Sequence, residues 1–318
     1  MKIRSLTVIM LMGVISSIVT ACEKKEVSVL NTFEITKTQS NTEESYQMPM
    51  AGEAMSMVKR SDKKVEVKDT FTVAAVGSPE IEILSKAAEL LEEKGYGLEI
   101  QLCEDYDSPN LNVLEGKAEG NFFQHFGYLE RYNMEKEVFL TQEAVVYFQP
   151  MAIYPGKSNR LSNITMGSKI LVPSDTTGFA RSLLLLQEEG ILTLMEDADL
   201  MAVEGDITEN PYEVQLIKTD ESEMWEKSQE ADFVICQTSY VLAEGEQPDL
   251  FLAREKDDSL AAEILGRILV IKEENKERLK PLTEVLVSPQ MEEFITSYFH
   301  GSLSFIGTME LTEEGGVE

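Results

Sequence analysis

An α/β fold in two lobes with a hinge and an interlobe cleft is predicted by three observations. Short apolar runs alternate with amphipathic helical patterns from Thr70 onward, the texture of α/β units around largely parallel sheets. Two long apolar segments are placed to carry the chain from one lobe to the other and back. The remaining chain, roughly 240 to 250 residues, is long enough for two cores.

In chain order, the first lobe begins with a strand over Phe71 to Val76. A helix from Glu80 to Lys94 follows, with Ile81, Ile83, Leu84, Ala87, Leu90 and Leu91 on its apolar face. Leu98 to Leu102 is the next strand, Pro109 to Leu114 a short helix, and Asn121 to Phe123 a strand. The run from Ala144 to Tyr154 is read as the first crossing. In the second lobe Lys169 to Val172 is a strand and Gly178 to Glu188 a helix, and a return crossing is expected near Leu265 to Ile271. Helices over Asn275 to Val287 and Pro289 to Tyr298 complete the chain. The expected domains are 71–146 plus 265–306 for one lobe and 147–264 for the other. A flexible tail is expected over 307–318.

Residues 1–22 read as a targeting segment: Lys2 and Arg4 precede an apolar run from Leu6 to Val19, which ends at Thr20, Ala21 and Cys22. Small residues before a cysteine resemble the bacterial lipobox, so Cys22 is the expected lipidation site. The run is shorter than the ~20 residues a spanning helix needs. Residues 23–70 are polar apart from a Met-rich patch at Met48 to Met57, and read as a disordered tether.

The formal charge of −29, from 28 basic and 57 acidic residues, argues against nucleic-acid binding, which depends on clustered Lys and Arg. The acids are dispersed, as on solvated helix faces. Cys103 and Cys236 lie in apolar strands without zinc-ligand spacing, and are expected as buried free thiols. No metal or cofactor site is expected. The chain has two histidines, His125 and His300, and no nucleophile elbow or phosphate loop, so an enzyme is disfavoured.

The segment Asn121, Phe122, Phe123, Gln124 and His125, followed by Tyr128 and Leu129, resembles the "NFFQH..YL" signature of the NlpA/MetQ family of methionine-binding lipoproteins. Pro150 to Tyr154 resembles that family's "PMGLYS". Val172 to Asp175, Thr177, Arg181 and Leu183 to Leu186 resemble its "PNDPTN..RAL.LL", and Glu274, Asn275, Ser288, Pro289 and Phe294 match its C-terminal helices. The similarity spans about 71–306. It implies a periplasmic-binding-protein type fold, attachment to the extracytoplasmic face of a membrane, and an ABC permease and ATPase as partners.

An amino-acid cargo needs a fixed cation for its carboxylate, acceptors for its ammonium and a shaped pocket. Arg181, in the first turns of a helix beginning near Thr177, is the candidate cation by its match to the family's arginine; a surface salt bridge is the alternative. Tyr106, Phe122, Phe123, His125 and Tyr154 are candidate walls suited to a thioether. Adjacent strand residues point to opposite faces, so only one of Phe122 and Phe123 can face a cleft, and which one stays open. His125 is read as a wall and donor, a core histidine or a base. The family's asparagines are replaced by Ser174 and Gly178, and its "NGNY" by Cys236, Gln237, Thr238, Ser239 and Tyr240. Ammonium contacts would then come from Gln237, Thr238 or Ser239. These replacements leave open a different amino acid or a short peptide as cargo, and a sensory or surface lipoprotein as another use of the fold.

Overall fold

The computed structural model describes residues 67–308. The expected targeting segment with Cys22, nearly all of the tether, and the tail beyond Thr308 lie outside the described residues.

The first sheet takes strands β1 (Asp69–Ala75), β2 (Tyr96–Leu102), β3 (Gly120–His125) and β4 (Thr141–Phe148). Helices α1 (Glu80–Glu93), α2 (Ser108–Leu114) and α3 (Phe126–Lys136) connect them. The chain then enters the second sheet with β5 (Met151–Pro155), β6 (Lys169–Pro173) and, after α4 (Thr176–Glu188), the small ribbon of β7 (Thr193–Leu194) and β8 (Ile207–Glu209). β9 (Gln215–Thr219), α5 (Glu221–Met224), β10 (Phe233–Gln237), α6 (Thr238–Ala243) and β11 (Ala253–Arg254) complete that part. The return brings α7 (Leu260–Leu265), β12 (Arg267–Ile271), α8 (Lys276–Leu286), α9 (Pro289–Tyr298) and β13 (Ser304–Thr308).

Strand order is β13-β4-β12-β3-β1-β2 in the first sheet and β11-β5-β10-β6-β9 in the second. Both sheets are mixed rather than largely parallel. β1 pairs parallel with β2 and β3, but β12 and β13 run antiparallel to their neighbours, as do β5 and β11 in the second sheet. Two of the reversed strands, β5 and β12, are those by which the chain enters the second body and re-enters the first.

Each sheet is buried on both faces, which explains why its strands read as continuous apolar runs. On one face of the first sheet, α1 packs Ile83, Leu84, Ala87 and Leu91 with Leu279, Leu282 and Leu286 of α8 and Ile295 of α9. The other face gathers Val113, Leu129, Val145 and Val270. Glu80 and Glu82 in the first turn of α1 complement the helix dipole, and Ser288 with Pro289 starts α9. In the second body Leu183 and Leu186 of α4 meet Ile153, Val172 and Ile235 of the sheet. Cys103 and Cys236 are free and buried.

The first crossing is confined to Gln149 and Pro150, where proline interrupts the extended chain between β4 of the first sheet and β5 of the second. The return crossing lies earlier than expected, at residues 255–259. The expected stretch near Leu265 to Ile271 is instead mostly β12, the strand between β3 and β4. An apolar run looks the same in sequence whether it bridges two bodies or sits in the middle of one sheet. Gly266 permits the tight entry into β12, since a Cβ there would fall 2.6 Å from Val145 Cγ1 and 2.8 Å from the Ala262 carbonyl.

Candidate functional site

β1, β3 and β4 run in the same direction, so their C-terminal ends, together with the start of β12, form one edge of the first sheet. β6, β9 and β10 likewise end together, beside the start of β5. The two edges adjoin the Gln149-Pro150 crossing. The C-terminal edges of parallel strands, where helices begin and backbone N–H groups are free, are the general ligand-binding side of α/β sheets.

On the first edge, Phe123 is buried between Tyr106 and Tyr128, with ring centroids 6.0 and 5.8 Å away. Tyr106 is 62% exposed and open to a partner. Phe122 points to the opposite face, where it meets the Tyr147 ring edge-on at 6.0 Å inside the core. Strand alternation thus removes Phe122 from the candidate site and keeps Phe123. His125 is half-buried and caps α3, its Nδ1 accepting the Tyr128 N–H at 3.2 Å. Burial, with the charges of Arg267 and Arg131, lowers its pKa to about 4. The ring is therefore neutral near pH 7, with Nε2–H as a donor.

Behind this wall Tyr147 donates its hydroxyl to Glu80 Oε1 at 2.7 Å, and Arg267 Nε lies 3.4 Å from the same oxygen. Burial raises the pKa of Glu80 against the opposing charge of Arg267, and pushes the Tyr147 hydroxyl well above its ordinary value.

On the second edge Arg181 is 5% exposed and already engaged. Its Nε donates to Glu255 Oε1 at 3.0 Å and its Nη2 to Glu255 Oε2 at 2.6 Å and to the Gln149 carbonyl at 2.8 Å. The guanidinium also lies over Phe148, 5.2 Å from the ring centroid. Glu255 Oε2 further accepts the Met151 N–H at 2.7 Å. The pair therefore joins α4 to both crossings, at Gln149 to Met151 and at Glu255. Glu255 occupies the side-on fork of Arg181, formed by Nε and Nη2, and Nη1 donates to no described residue. Removing one partner of a buried pair costs about 3–5 kcal/mol.

Around the pair the charge is negative. Asp175 caps α4, accepting the Gly178 N–H at 2.8 Å. A Cβ at position 178 would fall 2.6 Å from both Asp175 Oδ2 and Pro173 Cβ, which accounts for glycine there. Glu221, at the start of α5, accepts the Gln237 N–H at 3.1 Å. Burial and the charge of Asp175 raise its pKa, while the Gln237 N–H and Arg181 oppose the rise. Gln237 and Ser239 are half-buried at the end of β10 and the first turn of α6, with Tyr240 exposed beside them. Thr238 is buried and donates to the carbonyls of Pro150 at 3.1 Å and Ser302 at 2.6 Å, so it braces the junction.

Tyr154 does not reach this edge. It lies near the far end of β5, wholly buried, with its hydroxyl donating to the Pro248 carbonyl at 2.7 Å and its ring edge-on to Trp225 at 5.9 Å. Hollows of about 350 and 330 Å³ occur on the second body, lined in part by Lys218 and Glu223 and by Tyr154 and Trp225 respectively. Apart from Tyr154 they contain none of the expected site residues, and we place the site at the sheet edges on chemical grounds.

Sequence reading missed Glu255, Glu221 and Arg267. Glu255 and Glu221 belong to no motif, and Arg267 is the first residue of a run that reads as buried strand. One signal was present: charged residues directly at the start or end of an apolar run mark a sheet edge.

Residues 71–304 match the family model described as NlpA lipoprotein. The methionine-binding lipoprotein MetQ of Bacillus subtilis is 28% identical over 248 residues, covering 74% of this chain and 88% of that one. Among solved structures, a nutrient-binding protein from Burkholderia cenocepacia bound to methionine is 26% identical, with a TM-score of 0.57 and coverage of 74% and 99%. An ABC transporter periplasmic substrate-binding protein from Coxiella burnetii gives 26%, 0.57, 74% and 99%. With about three quarters of its length covered and the Asn121 to His125 signature seated at the edge of the first sheet, this chain belongs to the NlpA lipoprotein family.

Proposed function

We propose that this protein is a solute receptor, anchored through Cys22 on the extracytoplasmic side of a membrane, that captures methionine or a closely related amino acid. It passes the cargo to the permease and ATPase of an ABC importer. The observation that carries this reading is the pair of unlike sheet edges meeting at one crossing. One offers aromatic rings and a neutral imidazole, through Tyr106, Phe123 and His125. The other offers carboxylates and amide or hydroxyl groups, through Asp175, Glu221, Gln237 and Ser239. A thioether suits the first and an ammonium the second. The methionine carried by the Burkholderia relative supports the same cargo class.

Two bodies joined by a two-residue link and a short return segment make a hinge, and a cargo touching both edges stabilises the closed form by its affinity difference between closed and open states. The Arg181–Glu255 pair fixes both links to α4, so movement is concentrated in the few residues outside it. The replacements at Gly178 and Cys236 to Ser239 support a second reading, in which another amino acid or a short peptide is the cargo.

The test is the melting temperature of full-length protein, unfolded and refolded to strip resident ligand, with and without excess L-methionine. Ligand at a hundredfold over its dissociation constant adds ~2.7 kcal/mol. The midpoint should rise by roughly 4 to 10 °C for a body of this size. No rise in refolded protein would move the cargo to the second reading, to be screened with other amino acids and short peptides.

A further inference from the structure

Three side-chain amides are buried together where α2 meets β3. Asn110 of α2 and Asn121 of β3 are fully buried, and Gln124 of β3 is 2% exposed. Asn110 Nδ2 donates to Gln124 Oε1 at 3.1 Å, and Gln124 Nε2 returns a bond to Asn110 Oδ1 at 2.7 Å. Gln124 Nε2 also donates to Asn121 Oδ1 at 2.8 Å, and Asn121 Nδ2 to Asn110 Oδ1 at 2.9 Å. Burying amides is costly unless they are partnered, and a partnered network fixes one arrangement where an apolar core tolerates several.

The network spans an irregularity in β3. Against β12, Gln124 pairs with Ile268 and Phe122 with Leu269, so Phe123 is the extra residue of a β-bulge. On the other side, pairing with β1 stops at Asn121. In a regular strand Asn121 and Gln124, three residues apart, would point to opposite faces; the bulge brings both to Asn110. A slip that removed the bulge would reverse the faces of the residues beyond it. Asn110 also ties the bulge to α2, beside the loop in which Tyr106 stands 6.0 Å from the Phe123 ring and accepts the Tyr128 hydroxyl on its carbonyl at 3.1 Å.

We infer that Asn110, Asn121 and Gln124 are positioning residues of the cargo site. Buried away from the cargo, they hold the bulge that aims Phe123 and His125 at the sheet edge and set the spacing of Phe123 from Tyr106. Their effect falls on recognition of the cargo side chain, because the carboxylates and amide proposed for its ammonium lie on the other body.

This role rests on the amino-acid capture proposed above, and the test separates the two. Calorimetry, with displacement for the weaker ligand, compares L-methionine and L-alanine, which share a head group and differ in side chain. The proteins are refolded full-length chain, Gln124→Met, and the triple variant Asn110→Leu, Asn121→Leu, Gln124→Met. Replacing all three amides by apolar groups of similar shape strands no polar partner, so the triple variant should melt close to the unmodified protein, and Gln124→Met alone should melt lower. A well-placed ring contact with sulfur is worth up to about tenfold in affinity. With several rings displaced, methionine affinity should fall about tenfold or more in the triple variant, and alanine affinity by less than about threefold. Gln124→Met, measured where it is fully folded, should show the same selective loss. A methionine-to-alanine ratio unchanged in both folded variants, or equal weakening of the two ligands, overturns the role and leaves capture standing. An unmodified protein that does not prefer methionine to alanine removes the methionine reading, and this role with it.

Discussion

The two sheet edges each carry an arginine, and the arginines are held in opposite ways. Arg181 sits in a network of four hydrogen bonds, three donated by its own guanidinium and one accepted by its partner Glu255 from Met151. Arg267 lies 3.4 Å from one carboxylate oxygen, Glu80 Oε1, and its buried Nε makes no close hydrogen bond to a described residue. Arg181 braces the fold through Nε and Nη2, with Nη1 donating to no described residue, whereas Arg267 lies beside a single carboxylate. The motif match locates the first and passes over the second, because a motif records residue type and spacing but not what else has reached the same side chain.

Mutation can break this contrast, and the largest effect should come from Glu255→Ala. It leaves Arg181 buried without its counter-ion and frees the Met151 N–H, at a cost of about 3–5 kcal/mol. Denaturant unfolding should show this as a lower midpoint, whereas Arg267→Gln should cost no more than about 1 kcal/mol, the range of weakly held charge pairs. Equal losses for the two would erase the distinction.

Tyr147→Phe sharpens it on the first edge. The hydroxyl lost there is a buried donor to a carboxylate, worth about 1.5–3 kcal/mol, and equilibrium unfolding should report a loss in that range. A neutral result would mean that Glu80 is satisfied without it.

The pH response of the first edge follows from His125. Its folded pKa of about 4 lies below the ordinary 6.5, so the folded state binds fewer protons than the unfolded one between those values. The stability it contributes is therefore complete above about pH 6.5 and is lost as pH falls through about 4, by up to about 1.4 kcal/mol per pH unit within the window. His125→Asn keeps a side-chain cap but does not titrate. Its melting temperature should fall less than that of the unmodified protein between pH 6.5 and 4.5, and parallel curves would contradict the assignment. The smallest effect belongs to Asp175→Ala on the second edge, where loss of the cap should cost about 1 kcal/mol of stability in urea melts.

Much of the architecture was legible because each sheet is covered on both faces. Continuous apolar strands and one-sided helices such as α1 and α9 then stand out from polar turns. The first crossing was also legible, since Gln149 and Pro150 interrupt the run from Ala144 to Tyr154. The return crossing was not, because Arg267 to Ile271 has the composition of a central strand and nothing local shows which sheet it joins. The same limit governs the site. His125 and the alternation of Phe122 and Phe123 follow from motif and strand geometry but not which ring faces the edge, and the bonds of Tyr154 to Pro248, 94 residues away, and of Arg181 to Glu255, 74 residues away, could not be read at all. Partners that distant leave no trace in local pattern.

The central claim is that a small amino acid is held between the two bodies and draws them together. Small-angle X-ray scattering of refolded full-length protein, with and without saturating L-methionine, tests this most directly. The account expects a smaller radius of gyration with ligand at unchanged molecular mass. A rise in melting temperature with no change in the scattering profile would contradict it, placing the ligand on one body alone.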